Sequence, residues 1–129
     1  MKRQELIFVY NANSDVFSTV TDFAHKLLSP STYNCNLCAL TYGNFTVKQQ
    51  WKFFIEGLAI KTAFLHKDEF EKQYKIQPAL PAVFMKAGGA IKEIISQEQI
   101  KSCRSLEELQ NLVTHKLAEH VQHHHSNIY

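Results

Sequence analysis

The fold is decided by the segment at residues 78–95, PALPAVFMKAGGAIKEII. Two prolines mark a loop at its start, and two runs rich in β-forming residues then flank the pair Gly88-Gly89. Paired glycines between such runs are typical of a tight hairpin turn, because glycine adopts positive φ without steric cost. We therefore predict an antiparallel hairpin with strands over 82–85 and 90–95.

Apolar patterns upstream of the hairpin alternate between the periods of strands and helices. Short runs rich in β-formers predict strands over 6–10, 37–42 and 60–65. Apolar positions three and four residues apart predict helices over 14–28, 47–58 and 68–74. The segment 37–42 has a second interpretation, since Asn34 and Gly43 could instead bound one helical turn.

Two capping boxes add helix starts. Thr46-Val47-Lys48-Gln49 precedes the helix that carries Trp51, and Ser105-Leu106-Glu107-Glu108 begins a last helix. The resulting order is βαβαβαββα. This order predicts an α/β fold, a mixed sheet with helices on both faces.

Composition describes one ordinary domain. The chain has 129 residues, 45% of them hydrophobic, which is enough for a single core. We assign residues 1–120 to this domain and 121–129 to a His-rich C-terminal tail, because five of the seven histidines fall in the last fifteen positions. With a formal charge of +2, no basic run long enough to follow a phosphate backbone and no apolar run of membrane-spanning length, we expect neither nucleic-acid nor membrane binding. Three cysteines and the lack of an export signal favour a cytoplasmic protein.

The pair Cys35 and Cys38, in the sequence CNLC, carries the most chemical information. Two thiols at this spacing can close a disulfide, hold a soft metal or exchange electrons. In a redox reaction we expect Cys35 to attack and Cys38 to resolve. The alternatives are buried packing cysteines, or a zinc site completed by His25, His66 or Cys103.

Polar residues after the first strand form a second candidate site. Asn11, Asn13 and Ser14 follow that strand at the edge where α/β sheets bind ligands, although turn formation and helix capping also account for them. His25 lies beside an apolar stripe, as a base, a ligand or a boundary residue. Phe45, Trp51, Phe53 and Phe54 could line an aromatic ligand pocket, but their helical spacing favours packing in the core. We expect Phe53 to be exposed, which would favour a partner or homodimer surface.

The chain resembles the thioredoxin-like fold over about residues 5–118. The features that carry the resemblance are Pro81 before a strand, the Gly88-Gly89 turn and the capped last helix at Ser105. In thioredoxins the redox Cys-x-x-Cys follows the second strand and opens the second helix. With a strand at 37–42, that place holds residues 43–46 instead, so the resemblance carries over Pro81, as a residue shaping the site surface, but not the cysteines. A helical turn at 37–42 would restore a helix N-terminus to the pair.

A second resemblance assigns no activity. Residues 10–14, His25-Lys26 and residues 29–45 are similar to a family of small uncharacterised bacterial proteins. A nucleotide hydrolase is rejected, because the chain lacks the glycine-rich loop that cradles phosphates. The leading hypothesis is therefore a cytoplasmic, thioredoxin-like thiol redox protein that needs no cofactor and acts on a protein thiol or a small molecule. The alternative is a binding module with structural or zinc-bound cysteines.

Overall fold

The computed structural model describes residues 4–13, 35–42 and 47–126, with side chains up to His120. This part of the chain forms four strands and five helices. In chain order they are β1 (Gln4–Val9), α1 (Asn36–Thr41), α2 (Gln49–Glu56), β2 (Lys61–Leu65), α3 (Lys67–Tyr74), β3 (Ala82–Ala87), β4 (Ala90–Ile95), α4 (Gln97–Lys101) and α5 (Leu106–Ser126).

The four strands form one mixed sheet in the order β2-β1-β3-β4. β1 runs parallel to β2, with Phe8 opposite Phe64, and antiparallel to β3, with Val9 opposite Ala82. β3 and β4 are antiparallel neighbours. The predicted mixed α/β architecture is therefore confirmed.

Side chains of β1 alternate between two apolar layers, as the two-residue period of a strand requires. Leu6, Phe8 and Tyr10 pack in a cluster with residues of α1, α2 and α5. Ile7 and Val9 pack on the opposite face with Phe70 of α3. Helices thus cover both faces, as predicted, and each fully buried side chain of this size stabilises the fold by roughly 1.5–3 kcal/mol.

The predicted hairpin is confirmed and extends slightly further than expected on its first strand. Gly88 and Gly89 both have positive φ, 61° and 88°, and link the ends of β3 and β4. The peptide bond between Leu80 and Pro81 is cis, immediately before β3. Gln97 Nε2 donates a 3.2 Å hydrogen bond to the Leu80 carbonyl, which ties this loop to α4.

The predicted strand over 37–42 is wrong, because this segment forms α1. Its N-cap is Cys35, whereas the helical alternative had placed the cap at Asn34. Leu37, Cys38 and Thr41 are buried at helical spacing, and the six-residue apolar run alone could not distinguish this face from a strand. The described part of the chain therefore has one strand fewer than the predicted order.

Two helix starts also differ from the sequence-based expectation. The helix with Trp51 has Lys48 as its N-cap, with no side-chain capping bond, whereas Thr46 of the predicted capping box lies outside the described residues. α4 has no counterpart among the predicted elements, although Ser96 and Gln99 form a reciprocal capping box at its start. The predicted helix over 14–28 also lies outside the described residues.

The last helix begins where the sequence indicates. Ser105 Oγ accepts a 3.2 Å hydrogen bond from the Glu108 N–H, as in a capping box. Glu108 Oε1 accepts its bond from the Arg104 N–H at 2.9 Å instead of from Ser105. The helix continues to Ser126, across the three consecutive histidines. Among the helices described, none combines the length and apolarity needed to cross a lipid bilayer.

Candidate functional site at Cys35 and Cys38

Cys35 and Cys38 are joined by a disulfide at the start of α1, with their Cα atoms 5.3 Å apart. Cys35 is the N-cap, and Cys38 lies in the first turn of the helix. Because residues three apart share one helix face, the helical backbone brings the two sulfurs together, whereas a strand would have separated them. The helical conformation of α1 is therefore what makes the two cysteines a single site.

Two backbone N–H groups point at the sulfur of Cys35. The N–H of Cys38 donates at 3.3 Å, and the N–H of Asn11 donates at 3.4 Å. The first bond follows from the cap geometry, and the second reaches from the loop after β1. Such donors stabilise negative charge, so after reduction they favour a thiolate at Cys35.

The side chain of Asn36 holds the cysteine helix in place. Its Nδ2 donates to the carbonyl of Ile100 at 2.7 Å and to that of Cys103 at 3.1 Å. These carbonyls belong to the end of α4 and the turn that follows it. One amide therefore joins the Cys-x-x-Cys segment to a part of the chain more than sixty residues away.

Cys103 is a free, buried cysteine with a different environment. Its Sγ donates a 3.6 Å hydrogen bond to the carbonyl of Gln99. Burial, assisted by the negative charge of Glu108, raises the pKa of the Cys103 thiol. It is therefore a packing residue that keeps its proton at neutral pH, as the sequence had indicated.

Pro81 lies at the same end of the central strands as the hydrogen-bond donor Asn11. Because Val9 pairs with Ala82, antiparallel register places Pro81 next to Tyr10, at the carboxyl end of β1. Pro81 is buried. The fold thus brings Pro81 to the strand end from which the Asn11 N–H reaches the cysteine sulfur.

Both sulfurs are shielded from solvent in the disulfide form. Cys35 is 3% exposed and Cys38 is 0% exposed. A reacting thiol must approach a sulfur atom directly, so disulfide exchange at this pair requires local opening of the site.

The other predicted binding residues are not all brought together. Asn11 is half-buried and supplies its backbone N–H, while Asn13 is exposed. Ser14 and His25 lie outside the described residues. His66, considered as a zinc ligand, has its Nδ1 2.8 Å from Glu69 Oε1, and no cluster of three or more metal-binding side chains occurs in the described ranges.

An aromatic cavity lies near the end of β1, whereas the helical spacing around Trp51 had favoured core packing over an aromatic ligand pocket. Trp51 is indeed buried, but it also lines a cavity of about 300 Å³ between α2 and the strand ends. The signal available in the sequence was the density of aromatic residues around Tyr10, Tyr42 and Trp51. Burial and contacts with Tyr42 raise the pKa of the Tyr10 hydroxyl, which therefore stays neutral.

Comparison with known proteins does not extend this description. No protein-family model, curated protein or solved structure matches the chain.

Proposed function

We propose that the protein is a thioredoxin-like domain that carries out thiol–disulfide exchange through Cys35 and Cys38. The observation that carries the proposal is the setting of Cys35 Sγ, which caps a helix, bonds to Cys38 and accepts two backbone N–H groups. Dithiol exchange has two requirements. One thiol must form a stabilised thiolate, and a second thiol must lie within bonding distance of it.

The strand arrangement supports the thioredoxin-like part of this proposal. The cysteine helix lies in sequence between the parallel strands β1 and β2, and the antiparallel β3 follows the cis proline Pro81. With 37–42 helical, the objection that the pair precedes a strand no longer applies. The pair then lies at a helix N-terminus, as the resemblance requires, although among the described residues it follows β1 and not a second strand.

In the proposed reaction the dithiol of Cys35 and Cys38 supplies the two electrons that reduce a substrate disulfide. The Cys35 thiolate attacks one sulfur of a substrate disulfide, forms a mixed disulfide and releases the other substrate sulfur, which takes a proton. Deprotonated Cys38 then attacks Cys35 Sγ, releases the reduced substrate and closes the internal disulfide. A low-molecular-weight thiol or a second dithiol protein, oxidised in turn, restores the reduced pair.

The burial of both sulfurs favours a second candidate function. A cross-link that no partner can reach would serve only to hold α1 in place, within a module that binds partners through its surface. Phe53, which is 63% exposed as predicted, and the edge strand β2 are features such a surface could use. The two functions differ in whether the folded protein exchanges its disulfide.

Trapping of the mixed disulfide tests the proposal. Reduced Cys38→Ser and Cys35→Ser, each also carrying Cys103→Ala, are mixed with glutathione disulfide under native conditions and followed by intact mass. We expect Cys38→Ser to accumulate one stable glutathione adduct, because Cys35 attacks and nothing resolves the product. We expect Cys35→Ser to react much more slowly.

Equal, slow modification of both variants would overturn the assignment of roles. An adduct on Cys38→Ser that forms only in denaturant would favour the structural cross-link instead. Circular dichroism of each variant confirms that the native state is the one being tested.

A further inference from the structure

The aromatic cavity has the composition of a small-molecule site. Its volume, about 300 Å³, lies at the lower end of the range for ligand pockets, which suits a ligand with one ring. Its walls are mostly apolar, with a few charged and polar groups among them. The lining residues are Tyr10, Tyr42, Val47, Trp51, Lys52, Ile55, Glu56, Phe64 and His66.

The walls are built from aromatic rings at the carboxyl ends of two parallel strands. Tyr10 follows β1 and His66 follows β2, and ligands of α/β sheets bind at such ends. The Tyr10 ring stacks with Phe64 at 6.2 Å between centroids and meets Tyr42 edge-on at 6.0 Å. These contacts fix the rings, so the cavity is preformed for a planar aromatic group.

The rim carries one positive and one negative side chain on α2. Trp51 and Ile55, four residues apart, face the cavity, and Lys52 and Glu56 form the adjacent row on the same helix. Both charged side chains are exposed. The ion pairs found among the described residues include neither of them, so both charges are available to a ligand.

We propose that this cavity binds a free aromatic α-amino acid. The ring packs against Tyr10, Trp51 and Phe64, the carboxylate meets Lys52 and the ammonium meets Glu56. A zwitterion is the ligand class that satisfies both rim charges at once, and a single aromatic ring suits a cavity of this volume. This inference stands apart from the redox proposal, because none of its contacts involves a cysteine.

Trp51 provides the readout, because it is the chain's single tryptophan and lines the cavity. The folded protein is titrated with L-phenylalanine while tryptophan emission is followed, and calorimetry confirms the stoichiometry. We expect a saturable change in emission at one site. Phenethylamine and 3-phenylpropionate, which each lack one charge, should bind about 3- to 5-fold more weakly, the loss expected for one exposed ion pair.

Two variants test the contributions of Lys52 and Glu56 to ligand affinity one at a time. Lys52→Ala should weaken binding of phenylalanine but not of phenethylamine, and Glu56→Ala should weaken binding of phenylalanine but not of 3-phenylpropionate. Lys92→Ala and Glu93→Ala are matched controls, since both residues are exposed on β4, at the opposite edge of the sheet from β2. They should leave all three affinities unchanged.

Three outcomes would overturn the inference. The first is no saturable response to phenylalanine. The second is binding of N-acetylphenylalanine amide as tight as that of phenylalanine, which would indicate a peptide side chain as the occupant. The third is an equal loss of affinity in the β4 control variants.

Discussion

The backbone N–H of Asn11 donates a 3.4 Å hydrogen bond to Sγ of Cys35, 24 residues further along the chain. With the N–H of Cys38 at 3.3 Å, this bond gives one sulfur two donors. It also fixes that sulfur at the carboxyl end of β1, the strand end next to Pro81. The geometry therefore distinguishes Cys35 chemically from the other two cysteines.

We predict that Cys35 is the first thiol to be alkylated in the reduced, folded protein. Its thiolate is stabilised by two N–H donors, whereas burial raises the pKa of Cys103 and keeps that thiol protonated. Exposure alone would predict the opposite order, because Cys103 is 8% exposed and Cys35 is 3% exposed. Limiting iodoacetamide at neutral pH, followed by peptide mass spectrometry, measures the order.

Faster labelling of Cys103 than of Cys35 in the native protein would contradict this prediction. The same reaction in denaturant is the control. In denaturant the alkylation rates of the three cysteines should converge, because unfolding removes both the hydrogen bonds and the burial.

Asn36→Ala should lower the free energy of unfolding by about 1–3 kcal/mol. The substitution removes the donor for two carbonyls, Ile100 and Cys103, and leaves both without that partner. Urea denaturation measures the change. Asn111→Ala, at an exposed position on α5, is the matched control and should change stability by less than about 0.5 kcal/mol. Equal effects of the two substitutions would refute the anchoring role of Asn36.

Tyr10→Phe should make stability less sensitive to alkaline pH. Burial raises the pKa of the Tyr10 hydroxyl, so above about pH 10 the unfolded chain loses this proton while the folded chain keeps it. The free energy of unfolding of the wild type therefore falls as pH rises past that value, and the variant loses this contribution. Thermal or urea denaturation at pH values from about 8 to about 11, which bracket the ordinary tyrosine pKa of about 10, measures how the free energy of unfolding changes with pH.

At neutral pH the same variant should be about 1 kcal/mol less stable, because the Tyr10 hydroxyl interacts with Tyr42 and Thr41. Tyr74→Phe is the control, since Tyr74 is only partly buried and packs on the other face of the sheet. A Tyr10→Phe variant with the full alkaline slope of the wild type would show that another group causes it.

Local patterns were sufficient for the four strands of the sheet and for the hairpin, but they also predicted a strand over 37–42 that is helical. Gly88-Gly89 indicates a turn that requires positive φ, and the structure has positive φ at both positions. The alternation of Ile7 and Val9 with Leu6 and Phe8 describes a strand buried on both faces, which the structure confirms. Such features depend on neighbouring residues and are therefore readable from one sequence.

The cysteine segment could not be assigned from its own residues. A six-residue apolar run suits a strand and a short helix equally, and the choice is made by distant partners. Asn36 bonds to the turn after α4, and Cys35 accepts from Asn11, contacts that span more than sixty and 24 residues respectively. The start of α4 is different, because the capping box of Ser96 and Gln99 is a local pattern that one sequence does show.

The central claim is that Cys35 and Cys38 form a reversible redox pair in the folded protein. Its most direct test equilibrates the native chain in glutathione buffers of graded ratio, quenches with acid, and counts free thiols by alkylation and mass spectrometry. Cys103→Ala, treated in parallel, should give the same midpoint.

We predict a single two-electron transition of this pair, with Cys103 remaining reduced and a midpoint between roughly −300 and −120 mV. A pair that stays oxidised or stays reduced at every ratio, and changes only when denaturant is added, would contradict the account.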